Sequence, residues 1–232
     1  MSEASEKVLG IKHLPLFPLP LVLLPNEMLP LHIFEPRYRQ MLADIALKKN
    51  LFGISFFDPN VSDDDKPPVG SVGCVAEVRE INRLEDGRAN ILTLGIIRYR
   101  LLDYVDAGDP YYVGEVEFFE DEEENESLLM EASDEVFVLF SRIAEAAHKL
   151  SNQQGELPQI PPAPPEMLSF LVTAAFNLDN EMKYELLETR STVERLKKLR
   201  EILQKAVVKM EESADIHKLA QTNGHGKKKI DI

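Results

Sequence analysis

The sequence predicts an α+β protein: a small barrel of short strands with a helix inserted early, followed by a bundle of helices. Three observations lead there. Residues 14–38 place six prolines, at 15, 18, 20, 25, 30 and 36, among apolar residues. Each fixes φ and removes a backbone donor, so no long helix runs through and the segment must be short extended pieces. Residues 70–119 then alternate strand-like runs with turn signals, and beyond residue 126 the apolar period becomes helical.

Taken in order, residues 1–12 have mixed charge and little pattern and read as a loose lead-in. Leu14-Pro15-Leu16-Phe17 reads as a first strand and Met28 to Phe34 as a second, with Pro25-Asn26 as the turn. Proline within strands points to edges or bulges. Pro36 suits a first helical position, and Tyr38, Met41, Leu42 and Ile45 follow at helical spacing. Leu51 to Phe57 is a further strand, and Asp58 to Pro68, with Asp63, Asp64 and Asp65, an exposed loop. Three adjacent aspartates lack the alternating ligands and turn glycine of a calcium loop.

Further strands are expected over Val72–Ile81, Ala89–Leu94, Ile96–Tyr104 and Tyr112–Phe118. Glu85-Asp86-Gly87 is a hairpin signal, and Gly95 marks a bulge or corner. Six or seven such strands make a small closed or half-closed barrel. The domain boundaries expected are barrel 1–119, acidic linker 120–126, helical bundle 127–214 and disordered tail 215–232. In EDEEENE, residues 120–126, self-repulsion favours an extended, solvated linker. Ser127 is the expected cap of a long helix carrying Val136, Phe140 and Ile143. Residues 158–165 are a proline-rich connector, and a helix over Glu166–Phe176 follows. A third helix begins at Asp179 or Asn180, and Ser191 with Glu194 forms a capping box for a fourth that carries Leu196, Leu199 and Leu203.

The 232 residues carry 26 Lys and Arg against 40 Asp and Glu, a net charge of −14. That excess opposes binding to a phosphate backbone, so no nucleic-acid partner is expected. A single cysteine, Cys74, excludes an internal disulfide and a multi-cysteine zinc site. The apolar run Leu19–Leu24 is too short to span a membrane, and the first dozen residues lack a secretory core. A soluble, cytoplasmic protein with no membrane partner is the expectation.

The run LPLFPLPLVLLPNEMLPLHIFEPRYRQML, from Leu14, resembles the amino-terminal, substrate-binding domain of Lon proteases. The resemblance extends through VGCVAEV (72–78), Asp86-Gly87-Arg88, LGIIRYR (94–100), PYYVGEV (110–116), KYELLE (183–188) and VERL (193–196), covering roughly residues 14–210. It implies a PUA-like barrel with an inserted helix. It also implies a non-catalytic module that binds unfolded or degron-bearing polypeptides and feeds or regulates proteolysis. The alternative is an adaptor for one folded partner in an ATP-dependent protease system. A complete Lon protease needs a phosphate-cradling loop and a serine-lysine pair. No G-x-x-x-x-G-K-S/T occurs, and Gly226-Lys227 lacks both the upstream glycine and the following hydroxyl. The resemblance ends before the ATPase and protease parts would begin, so a free-standing form without enzymatic activity is expected.

The five histidines show no metal spacing, and neither metal nor cofactor is expected. Candidate peptide-binding residues are Phe17, Leu31, His32, Phe34, Arg98 and Arg100. Leu16, Phe17, Leu31, Ile33 and Phe34 would offer apolar surface where they point outward. His32 reads as a strand side chain, with contact to a bound peptide as the alternative. Arg98 and Arg100, two apart on a strand, share a face. They can grip carboxylates or pair within the chain. Cys74 reads as a small core residue.

Overall fold

The computed structural model describes residues 2–59, 65–150 and 163–223. Among these lie six strands and six helices: α1 (Glu3–Val8), β1 (His13–Leu19), β2 (Met28–Ile33), α2 (Pro36–Ala46), β3 (Leu51–Phe56), β4 (Val72–Arg83), β5 (Ala89–Tyr104), β6 (Tyr112–Phe119), α3 (Glu126–Leu150), α4 (Pro165–Ala175), α5 (Asn180–Glu188) and α6 (Thr192–Asn223). Two compact units result. One comprises Met1–Glu123 with Phe170–Ser191, the other Glu124–Ser169 with Thr192–Ile232.

In the first unit the strands form one mixed sheet in the order β2-β5-β4-β3-β1-β6, with a further β5–β6 pairing. β1 and β3 are parallel, Leu16 opposite Gly53, so the chain must cross over between them; β2 and α2 form that crossover. β5 pairs β4 along one edge. Its other edge takes β2 with the first half and β6 with the second. β2 has no second strand neighbour among the described residues, so the six strands do not close into one barrel. The β5–β6 pairing curls the sheet back on itself, and of the closed or half-closed barrel expected from strand count the closed form is not adopted. The two strands expected on either side of Gly95 are one strand. Ala76 pairs Gly95 and Val75 pairs Ile97, which leaves Ile96 as the extra residue of a bulge.

The helix following Pro36 buries Tyr38, Met41, Leu42 and Ile45, the four positions its spacing predicts. They join Phe17, Ile33, Phe52 and Ile54 in one core cluster, where the Phe17 and Tyr38 rings lie 3.9 Å apart. A second cluster gathers Leu14, Leu16, Val75, Ile97, Tyr99 and Leu101. The Tyr99 hydroxyl hydrogen bonds Ser55 Oγ at 2.6 Å, and burial pushes its pKa up.

The lead-in is not loose. Ser2 caps α1 by accepting from the Ser5 N–H, Val8 is buried, and Lys7 Nζ reaches Glu77 at 3.0 Å. Nor are all the later helices one bundle. Phe170 of α4 and Leu187 of α5 pack with Val22, Leu24 and Val72 of the strand unit. The Val72 N–H donates to Tyr184 Oη at 3.0 Å, and Asn180 Nδ2 donates to the Pro20 carbonyl at 3.0 Å. Phe170 and Leu187 are thus covered by the β1–β2 connection and the start of β4, which periodicity alone does not reveal. Of the two expected candidates Asp179 caps α5, accepting from the Met182 N–H at 2.8 Å.

The acidic stretch 120–126 is extended through residue 125 and mostly exposed, yet it is held at several points. Asp121 accepts from Arg98, the Glu122 N–H donates to the Arg190 carbonyl at 3.1 Å, and Asn125 Oδ1 accepts from the Leu128 N–H at 3.2 Å. Asn125 therefore caps α3 in place of Ser127. Fixed partners outweigh the mutual repulsion of the acids.

The second unit pairs α3 with α6. Ala132, Val136 and Ile143 of α3 are buried, as are Val193, Leu196, Leu199, Leu203 and Val207 of α6. α6 continues to Asn223, past the expected start of the tail at 215, and residues 224–232 lie outside the described residues. Most of the proline-rich connector and Asp63 and Asp64 lie outside them too.

Candidate functional site

β2 begins at Met28 and alternates in exposure. Leu29, Leu31 and Ile33 turn inward, while Met28, Pro30 and His32 turn outward. Period two dictates this, and residues directly opposite on neighbouring strands share a face. The register therefore builds the outer surface row by row: Met28 beside Leu94 and Glu77, Pro30 beside Leu92 and Glu80, His32 beside Asn90 and Asn82. Met28 is 47 % exposed, and Phe34, just past the strand, is 58 % exposed. Phe34 stacks on His32 with centroids 6.0 Å apart, and His32 Nδ1 lies 2.7 Å from Asn90 Oδ1. The result is an apolar strip of Met28, Pro30, Phe34, Leu92 and Leu94, bordered along β4 by Glu77 and Glu80. Glu77 is already neutralised by Lys7 and Arg79, the latter at 2.7 Å.

The edge of β2 is less inviting than its face. The Gly95 N–H donates to the Glu27 carbonyl at 2.9 Å, so alternation puts Met28, Pro30 and His32 in the non-hydrogen-bonded class. Their backbone groups point away from β5, and the central one, Pro30, has no N–H. An added strand would miss its middle donor, which blunts this edge.

The six residues named from the sequence do not form one site. His32 and Phe34 come together on the outer strip. Phe17 belongs to the core, and Leu31 packs against that same core from its inner side. Arg98 and Arg100 do share a face, but Arg98 is buried; it donates to the carbonyls of Leu187 (3.0 Å) and Thr189 (2.8 Å) and to Asp121. Arg100 donates to the Gly70 carbonyl at 2.8 Å. Sequence reasoning missed Met28, Pro30, Leu92 and Leu94. The alternation in Met28-Leu29-Pro30-Leu31-His32 was a usable signal for the first two, whereas Leu92 and Leu94 require the β2–β5 register.

Among the described residues no group of His, Cys, Asp or Glu could hold a metal ion, and no helix is long and apolar enough to cross a membrane. Cys74 is fully buried, and burial pushes its thiol up, away from the reactive thiolate. We expect a thiol reagent to label native Cys74 more than about a hundredfold more slowly than in denaturant, at the rate of local opening. Equal labelling rates would mean that the β4–β5 interior is accessible.

A family model described as the ATP-dependent protease La (LON) substrate-binding domain matches residues 13–205. The Lon protease of Paraburkholderia phytofirmans is 28 % identical over 205 residues, which cover 85 % of this chain and 25 % of that protein. The Aquifex aeolicus Lon protease is 25 % identical over 223 residues, covering 91 % and 27 %. The chain thus spans about a quarter of the length of the curated relatives it matches. Two solved structures share its fold. The Lon N-terminal domain protein from Xanthomonas campestris has a TM-score of 0.59 at 24 % identity, covering 82 % of this chain and 97 % of that one. The N-terminal domain of the Mycobacterium avium complex Lon protease has a TM-score of 0.59 at 20 % identity, covering 83 % and 98 %. With most of its length matched by the family model, the chain belongs to the family of Lon substrate-binding domains.

Proposed function

We propose that the chain is a non-catalytic recognition module that holds unfolded or degron-bearing polypeptides in the cytoplasm and feeds or regulates proteolysis. One observation carries this reading: Met28, Pro30 and Phe34 stay exposed beside the half-buried Leu92 and Leu94, although the same strands bury their other face. Family membership supports it, since the family description names substrate binding. An extended polypeptide laid across Met28, Pro30 and Phe34 would cover apolar surface without needing the blunted edge. Glu80, exposed beside Leu92 and Pro30, favours a basic residue in the client over an acidic one.

The test is fluorescence anisotropy with a permanently unfolded, cysteine-alkylated model protein. The double variant Met28→Ser/Phe34→Ser is expected to bind about tenfold more weakly or worse, because each lost side chain removes apolar area worth on the order of 1 kcal/mol when covered. Its unfolding midpoint should be unchanged, since both side chains are exposed. Failure of the unaltered chain to bind unfolded protein would overturn the reading. Recovery of one folded partner without affinity for unfolded chains would replace it with an adaptor role.

A further inference from the structure

A cavity of about 250 Å³ opens on the first unit, lined by Arg100, Glu117, Phe119, Glu120 and Arg190 among others. It lies away from the apolar strip, at the end of β6. The Phe119 ring organises it: the Arg100 and Arg190 guanidinium carbons lie 5.8 and 5.6 Å from the ring centroid, and Arg98 lies 4.7 Å from it. Aromatic rings hold guanidinium groups in this way while leaving their in-plane N–H groups available.

The three arginines are not equivalent. Arg98 is committed inside the fold to two carbonyls and Asp121. The Arg100 side chain makes one hydrogen bond among the described residues, from Nη1 to the Gly70 carbonyl at 2.8 Å. The carboxylate beside Arg190, Glu122, lies 3.7 Å from its Nε, beyond hydrogen-bond length. Two guanidiniums thus line one cavity with donor capacity that the surrounding protein does not take up.

We propose that Arg100 and Arg190 bind a carboxylate group of a client polypeptide, an inference that rests on the recognition-module reading. The planar guanidinium fork matches a carboxylate in geometry as well as charge. A single negative charge suits this cavity better than a phosphate dianion. Glu117, directly opposite Arg100 on β6, Glu120 and Asp121, whose charge Arg98 already meets, line the same space and would repel a second charge. The group could come from a chain terminus or from an acidic side chain, and the chemistry is the same.

Three unstructured apolar peptides of one sequence separate the possibilities on the full chain by fluorescence anisotropy: the free acid, the carboxamide, and a carboxamide with one internal glutamate. At least one carboxylate-bearing peptide is expected to bind about tenfold more tightly than the plain carboxamide. That advantage should vanish in Arg100→Gln and in Arg190→Gln, while affinity for the carboxamide is retained. Whichever carboxylate peptide gains identifies the source of the group. If Arg100→Gln lowers the unfolding midpoint, Arg190→Gln, which is half in solvent, still decides the matter. Equal affinities for all three peptides would overturn the carboxylate site and leave the recognition module standing. Binding of none would overturn both.

Discussion

Replacing Arg98 with methionine is expected to destabilise the chain by about 3–5 kcal/mol, the usual cost of removing one partner of a buried ion pair. The guanidinium is 2 % exposed and the Asp121 side chain facing it 9 %. Methionine keeps much of the apolar stem, so the loss isolates the charged head. Two sets of acceptors are affected at once. Asp121 loses the cation facing it, and the Leu187 and Thr189 carbonyls at the C-terminal end of α5 lose their donor. A cation there also complements the negative end of that helix. The Phe119 and Phe170 rings, 4.7 and 5.4 Å from the guanidinium carbon, lose a flat partner.

Urea unfolding measures the effect, and the double variant Arg98→Met/Asp121→Asn apportions it. Removing both charges should cost less than the sum of the single changes, because no buried carboxylate is then left facing an apolar side chain. A loss under about 1 kcal/mol for Arg98→Met would mean that water reaches this cluster and screens it.

The same arginine shows what sequence could and could not supply. Alternation put Arg98 and Arg100 on one face, correctly, because period two is local. It could not tell that one is enclosed and the other lines a cavity, since that depends on α5 and on residues 119–121 arriving from elsewhere in the chain. Local signals served well in other places. Helical spacing found the buried face of α2, Gly95 marked the bulge in β5 where a bulge or corner was expected, and of the two caps offered, Asp179 and Asn180, the first is used. The hairpin at Glu85-Asp86-Gly87 closes as expected, with Gly87 at φ 80° and the Leu84 N–H donating to the Arg88 carbonyl at 2.8 Å.

Long-range choices were not legible. The parallel β1–β3 pairing, the double use of β5's second edge and the docking of α4 and α5 against Val22, Leu24 and Val72 each join distant residues. Composition conveyed the exposure of residues 120–126 but not the specific donors that hold the chain there. The outer strip combines both cases. Its β2 half follows from alternation, and its β5 half only from register.

The turn that leads into that register passes close to Gly95, which makes Gly95→Ala the second large effect. The Gly95 N–H donates to the Glu27 carbonyl at 2.9 Å, and its own carbonyl accepts from the Asn26 N–H at 2.8 Å. The turn is braced from within. The Leu24 N–H donates to Glu27 Oε2 at 3.0 Å, and Asn26 holds φ at 66°. A Cβ on residue 95 would overlap the Leu24 carbonyl oxygen and lie 3.1 Å from its carbon and 3.2 Å from Cys74 Sγ. Leu24 is fully buried, so its backbone has little room to retreat. We expect a loss of about 3 kcal/mol, at the upper end for overpacking by one methyl group. Met28, four residues after Leu24, should shift with the turn and weaken binding of unfolded protein in parallel. Gly108→Ala is the control: its φ of 73° strains an L-residue, but nothing lies within 4 Å of the added carbon, so about 1 kcal/mol is expected from conformation alone. A loss at Gly95 no greater than at Gly108 would show that the turn yields, and the placement of Met28 would then have to come from β2–β5 pairing itself.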